Sequence, residues 1–321
     1  MVNSDRLLVV IARVLLPAGI EPLRERYEVR EGGLEATRED ILAIAPGGNA
    51  FVADPSVAVD PELLDACGDS LRVVANFAVG YDNVDLEACR QRGVAVTNTP
   101  DVLTEATAEL ALALTLAAAR RMSDAERDLR AGVWAGWDPA AYRGIEIAGS
   151  TVGVVGPGRI GHRYARLAHG LGAKIAYAGP SPKPEVESEL GARRLELDEL
   201  LETSDVVSLH APAIPETRGL IGARELELIG SDGVLVNTSR GPLVDTEAVA
   251  AALESGTLGA AGLDVYDGEP HVPEALLNAP RCVLLPHIGS ATVPARDGMA
   301  RAAADNVIAV LEGRDPPSRV I

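Results

Sequence analysis

The densest chemical signal lies where the apolar run Thr151-Val-Gly-Val-Val-Gly156-Pro-Gly158-Arg-Ile-Gly161 passes directly into a helix-patterned stretch, Arg159 to Leu171. Glycine at 156 permits a tight turn, glycine at 158 lets a backbone approach a pyrophosphate, and glycine at 161 allows helix and strand to pack closely. Amide groups freed at the helix start can then hold phosphates. With 32 glycines in the chain, a bare G-x-G-x-x-G carries little weight against a merely structural turn. Strand, motif and helix in that order carry much more, and they point to a bound dinucleotide.

Three side chains further along have complementary chemistry. Arg240 offers a planar fork of donors that can fix a carboxylate and polarise a carbonyl beside it. His287, after an apolar strand and Pro286, carries the group suited to exchange a proton near neutral pH and sits where α/β sheets present ligands. Glu269 can pair with the second ring nitrogen and favour the imidazolium. Taken singly, each has a structural reading: an arginine bridging a strand end, a carboxylate in a Gly-Glu-Pro turn, a histidine bonded to backbone. Jointly, behind a glycine loop, the three read as a reaction site.

The ribose end of the dinucleotide should lie after the next strand, Lys174 to Ala178. An NAD site places Asp or Glu there to accept from the 2′-hydroxyl, about 20 residues beyond the glycines. This chain has Ala178. A 2′-phosphate is then not repelled, and Ser181 and Lys183 are in place to receive it, unless they are ordinary turn residues. NADP(H) is therefore favoured over NAD(H).

Elements able to position these groups recur along the whole chain. Short apolar runs at Leu7–Ala12, Ala50–Ala53, Arg72–Ala75 and Val94–Thr97 form one series. A second comprises Thr151–Val155, Lys174–Ala178, Asp205–Leu209, Gly233–Asn237, Ala260–Val265 and Cys282–Leu285, the number a six-stranded dinucleotide fold requires. Alternation of such runs with helical stretches predicts parallel sheets covered on both faces. Between the series, Val102 to about Leu129 is apolar on nearly every side without internal Pro or Gly, which predicts one long buried helix. A second Ala-rich helix is expected over Ala295 to Leu311, stopped by Gly313, Pro316 and Pro317.

Composition narrows the function classes. At 321 residues and 47% hydrophobic content, two domains with aliphatic cores are expected. A net charge of −18, with Lys only at Lys174 and Lys183 and no basic run, argues against nucleic acid and membrane partners. An anionic substrate must then meet a local cation, and Arg240 is that cation. Cys67, Cys89 and Cys282 have no C-x-x-C spacing, so neither a disulfide framework nor a metal site is implied. Leu7 to Leu16 is broken by Arg13 and lacks a cleavage site, so a cytoplasmic location is expected.

Three stretches are similar to the D-isomer-specific 2-hydroxyacid dehydrogenase family, and within it to the glyoxylate/hydroxypyruvate reductases: Asn237-Thr-Ser-Arg240-Gly, Gly262-Leu-Asp264-Val-Tyr-Asp-Gly-Glu269-Pro and Pro286-His287-Ile-Gly-Ser-Ala-Thr. Ala78-Val79-Gly80-Tyr81-Asp82-Asn83 and Asn98-Thr-Pro-Asp-Val-Leu-Thr-Glu-Ala-Thr107 extend the resemblance across the chain. It implies hydride transfer between a nicotinamide and a small 2-oxo or 2-hydroxy acid, with Arg240, Glu269 and His287 catalytic. It also implies two doubly wound parallel-sheet domains: a discontinuous flavodoxin-like substrate domain, residues 1–99 plus 291–321, and a Rossmann cofactor domain, residues 100–290, closing over the substrate.

By the same resemblance, the amides of Val79 and Gly80 hold the substrate carboxylate beside Arg240, and Asp264 contacts the nicotinamide carboxamide. Thr107, Ser290, Arg159, Ile160, Thr238 and Ser239 lie along the cofactor. The stretch Arg130-Ala-Gly-Val-Trp134-Ala-Gly-Trp137 resembles a dimerisation arm, implying a homodimer in which Trp137 reaches the partner's substrate pocket or serves only as interface packing. NADP-using relatives carry Arg where this chain has Pro180, which weakens the cofactor transfer. Corepressors on the same fold and phosphite dehydrogenases share the Arg, Glu and His pattern. Formate dehydrogenases place Gln at the position of Glu269 and are disfavoured.

Overall fold

The computed structural model describes residues Arg6 to Ile321, and the chain divides into two compact units. The first comprises the described residues up to Leu103 together with Ser290–Ile321; the second is Thr104–Gly289.

In the first unit five parallel strands, β1 (Leu8–Ile11), β2 (Glu28–Glu31), β3 (Ala50–Ala53), β4 (Val73–Asn76) and β5 (Ala95–Thr97), lie in the order β2-β1-β3-β4-β5. That is the flavodoxin-like order. β1, β3 and β4 are buried at every residue, as interior strands covered by helices on both faces must be. The late helix Val293–Leu311, whose N-cap Thr292 accepts from the Ala295 N–H at 3.3 Å, packs on helix Pro17–Arg26. Their approach requires glycine at 19, where a Cβ would lie 2.3 Å from the Ala300 carbonyl oxygen.

The second unit is built on seven parallel strands: β6 (Thr151–Val155), β7 (Lys174–Ala178), β8 (Arg193–Arg194), β9 (Val206–Leu209), β10 (Val234–Asn237), β11 (Ala260–Leu263) and β12 (Cys282–Leu284). Their order, β12-β11-β10-β9-β6-β7-β8, reverses at β6, which pairs with β7 on one side and β9 on the other. This is the Rossmann order with one strand added, and its reversal opens a crevice at the carboxyl ends of the strands. Because every ladder is parallel, the loops after β6, β10, β11 and β12 all leave at that one end. They carry the glycines, Arg240, Glu269 and His287 respectively.

Three expectations are corrected. The second sheet has seven strands rather than six, the addition being β8, and β2 had no counterpart among the apolar runs. Both are edge strands with exposed or half-exposed residues, so neither needed an apolar sequence. The long helix over 102–129 is two helices, Thr104–Ala119 and Met122–Arg130. Arg121 takes a left-handed backbone, φ 52°, which ends the first helix and brings its guanidinium to Asp124 at 3.2 Å. Asp124 is buried and also accepts from Arg127 at 2.8 Å and from the Arg281 N–H at 3.2 Å. A buried carboxylate needs such partners, and the break supplies one of them. Only the first helix has the extensive burial expected of the whole. Among the described residues no helix is long and apolar enough to cross a membrane.

Candidate active site

The protein's own packing requires glycine at two of the three motif positions, and the third leaves room. Gly156 has φ 82°, and a Cβ there would lie 2.9 Å from the Ala211 backbone. At Gly161 a Cβ would sit 2.7 Å from the Gly156 carbonyl oxygen, so helix Arg159–Gly170 could not seat against the turn. At Gly158 a Cβ would meet nothing within 4 Å, which leaves open space above the backbone at the start of that helix. Arg159 is exposed there, and Ile160 packs on the core behind it. Below the loop lies His210, its Nε2 bonded to Ser208 Oγ at 2.9 Å and its ring 5.0 Å from that of Tyr164. Burial pushes its pKa down to about 3, so it is a neutral support for the glycine turn.

At the end of β7, Ala178 is buried and no carboxylate takes its place. The following loop is tied by Tyr177, whose hydroxyl accepts the Lys183 N–H at 2.8 Å and donates to Glu187. Ser181 is exposed and Lys183 half-buried. Arg194, on β8, donates to the Gly179 carbonyl oxygen at 3.1 Å and puts a second cation at this end of the sheet. Sequence reasoning missed it because β8 has no strand signal of its own.

Arg240 leaves the turn after β10, where Asn237 fixes the backbone: its Nδ2 donates to the Arg240 carbonyl at 2.9 Å and its Oδ1 accepts the Ser239 N–H at 3.0 Å. Arg240 Nη1 donates to the Ser239 carbonyl at 2.7 Å, and the Ser239 hydroxyl donates to that of Ala211. Thr238 Oγ1 is buried without a hydrogen-bond partner.

His287 and Glu269 meet. His287 Nδ1 and Glu269 Oε2 are 2.7 Å apart, and Glu269 Oε1 accepts the Tyr266 N–H at 2.9 Å. Burial alone would raise the Glu269 pKa, but the bonds from His287 and Tyr266 and the charge of Arg240 outweigh it and hold the carboxyl below its ordinary value. His287 takes φ 54°, uncommon for a residue with a side chain. Asp264 holds that turn. Its carbonyl accepts the His287 N–H at 2.9 Å, and its fully buried carboxylate accepts the Ile288 and Gly289 N–H groups at 2.8 Å each. Burial raises the Asp264 pKa, and the two amide bonds only partly oppose it. Thr107, buried, lies beside Gly289.

The remaining expected residues belong elsewhere. In the first unit, the Val79 carbonyl accepts from Asn98 Nδ2 at 2.8 Å and the Gly80 carbonyl from Asn76 Nδ2 at 2.7 Å. Asn83 in turn bonds Asn76 at 3.1 Å, so three neutral amides fix these two peptide planes. Ser290 also falls in the first unit, half-buried. Trp137 is 85% exposed on the segment after helix Met122–Arg130.

These residues fit a dinucleotide. Open space over Gly158 gives the pyrophosphate a place against the helix start, and the orphaned Thr238 hydroxyl, two residues before Arg240, needs a polar partner that none of the described residues supplies.

Known proteins resemble this chain in sequence and fold. The family model for the D-isomer specific 2-hydroxyacid dehydrogenase NAD binding domain matches residues 112–289. A glyoxylate reductase of Thermococcus onnurineus is 46% identical over 318 residues, covering 97% of this chain and 95% of the relative. Among solved structures, a protein from Thermus thermophilus superposes with a TM-score of 0.92 at 43% identity, covering 98% of this chain and 100% of that one. An NADPH-dependent glyoxylate/hydroxypyruvate reductase from Sinorhizobium meliloti, in complex with NADP and malonate, gives 0.85 at 35% identity, with 98% and 97% covered.

Proposed function

The chain belongs to the D-isomer specific 2-hydroxyacid dehydrogenases, and from that premise we propose that it reduces glyoxylate or hydroxypyruvate, with His287 as the proton donor. It is an NAD(P)-dependent dehydrogenase acting on a small 2-oxo acid. The observation that carries the finer reading is the 2.7 Å contact of His287 with a Glu269 that also feels the charge of Arg240.

The roles follow from what each group can do. Arg240 binds the substrate carboxylate and polarises the adjacent carbonyl. The amides of Val79 and Gly80, their planes fixed by asparagines, are further carboxylate donors. With Nδ1 engaged by Glu269, His287 has Nε2 to deliver a proton to the carbonyl oxygen. Glu269 remains ionised and stabilises the imidazolium until that proton leaves. Gly156, Gly158 and Gly161 cradle the pyrophosphate, with Arg159 and Ile160 at the helix start and Thr107, Thr238, Ser239 and Ser290 further along the cofactor. Each Asp264 oxygen keeps a lone pair for the carboxamide while holding the turn of His287. When bound, the reduced nicotinamide supplies the hydride that reduces the carbonyl carbon.

NADP(H) is the preferred cofactor in this proposal, supported by Ala178 and by the cations Lys183 and Arg194 at that strand end. The protein acts as a homodimer in which Trp137, together with exposed Val133 and Trp134, is covered by the partner. Sedimentation tests the dimer; a monomer would refute it. The activity is tested by a panel of glyoxylate, hydroxypyruvate, pyruvate, phenylpyruvate and 2-oxogluconate with each reduced cofactor. Glyoxylate or hydroxypyruvate should give the highest kcat/KM, and no turnover of any oxo acid would refute the reading.

A further inference from the structure

Tyr266 stands where three chemistry-bearing segments meet, and it is buried. Its N–H donates to Glu269 Oε1 at 2.9 Å. Its hydroxyl lies 2.9 Å from the Leu285 carbonyl oxygen and 3.1 Å from that of Leu263, one proton shared between the ends of β12 and β11. Its peptide is the surface on which the turn after Arg240 rests: a Cβ at Gly241 would fall 1.9 Å from the Tyr266 carbonyl carbon.

Each contact adds to the bonds by which Asp264 holds the His287 turn and Asn237 the Arg240 turn. β12 is the edge of its sheet, paired only with β11, and its last ladder pair is Leu263 with Leu284. Leu285 adds one more bond, its N–H to the Leu263 carbonyl at 2.9 Å, and His287 follows two residues later. The Tyr266 hydroxyl is thus an additional tie on the strand end that delivers His287. Burial pushes its pKa up, so it stays a donor throughout the working range. At the other end of the same residue, the carboxylate of Glu269 bridges the Tyr266 N–H and His287 Nδ1 with one oxygen each. Gly241, with no side chain, brings the Arg240 turn into direct contact with that peptide.

We infer that Tyr266 is a positioning residue that sets the geometry of the Glu269–His287 pair relative to Arg240, its hydroxyl holding the strand end that presents His287. This rests on the reading of His287 as proton donor paired with Glu269. Packing alone would be served by phenylalanine, so the hydroxyl is the part to remove.

The experiment compares wild type, Tyr266→Phe, Glu269→Gln and the double variant. It follows kcat against pH with glyoxylate and NADPH, and NADPH binding by fluorescence titration. Tyr266→Phe should lower kcat by about three- to tenfold, the effect of one hydrogen bond. It should move the high-pH limb to lower pH and leave NADPH affinity within about twofold, because the hydroxyl bonds the strand ends at Leu285 and Leu263 rather than the glycine loop. In the Glu269→Gln background the same substitution should add less than about twofold, since residues acting through one pair are not additive. A Tyr266→Phe enzyme that melts earlier but keeps kcat and its pH profile would overturn the inference. Effects that multiply in full in the double variant would do the same. A Glu269→Gln profile identical to wild type would instead remove the reading beneath it, so the two failures are distinguishable.

Discussion

The two units solve the same architectural problem and put different chemistry at the same place. Each is a parallel sheet with a reversal in strand order, and each presents candidate groups after the carboxyl ends of its strands. In the first unit those groups are backbone amides in a frame of Asn76, Asn83 and Asn98, neutral side chains that fix peptide planes. In the second they are ionisable side chains, Arg240, Glu269 and His287, with a glycine turn beside them. Related parallel-sheet scaffolds thus lend themselves to binding by dipoles in one case and to proton transfer in the other. The carbonyl-occupying asparagines and the His287–Glu269 pair, rather than the sheets, carry the distinction.

The comparison is broken most severely at His287. His287→Ala should lower kcat for oxo-acid reduction by about two to four orders of magnitude with cofactor affinity intact, because it removes the proton donor. Stopped-flow turnover and an NADPH titration measure both, and near-normal turnover would show that His287 is not the proton donor that sets the second unit apart from the first. Arg240→Lys should cost about ten- to a hundredfold in kcat/KM for the oxo acid, the scale of charge-assisted hydrogen bonds that an ammonium cannot reproduce. Steady-state kinetics decide it, and an unchanged value would assign Arg240 a structural role.

Effects of about tenfold are expected at the end of β7. Ala178→Asp should turn preference toward NADH by adding an acceptor for the 2′-hydroxyl and repelling phosphate, and Lys183→Ala should weaken NADPH selectively. The ratio of kcat/KM for the two cofactors measures this, and a wild type already favouring NADH would refute the cofactor proposal. The smallest effect belongs to the first unit. Asn76→Ala releases the Gly80 carbonyl and should raise the KM for the oxo acid about fivefold, equivalent to about 1 kcal/mol, with kcat little changed. A fall in kcat with KM constant would contradict a purely binding role.

Much of this was legible in the sequence because the relevant patterns are local. β3, β6 and β7 match the apolar runs residue for residue, and the glycine loop declares itself within six positions. β2, Glu-Val-Arg-Glu, and β8, Arg-Arg, left no such trace: edge strands are specified by the neighbour they pair with, not by their own hydrophobicity. The break at Arg121 was equally hidden, since it goes with a buried Asp124 one of whose donors, the Arg281 N–H, lies far along the chain. The same holds inside the site. Residue types identified Glu269 and His287, but the grip of Asp264 on the amides of 288 and 289, and the role of Tyr266 between strand ends, exist only once β11 and β12 lie side by side.

The central claim is that His287 gives up a proton while paired with an ionised Glu269, and the pH dependence of kcat/KM for glyoxylate reduction in wild type and Glu269→Gln tests it most directly. Glutamine keeps the shape of the partner and removes its charge. The His287 contact helps hold the Glu269 carboxyl below its ordinary value, and removing that charge should move the high-pH limb of the reductive profile downward while the rate at low pH is better preserved. Two profiles that superimpose would contradict the account.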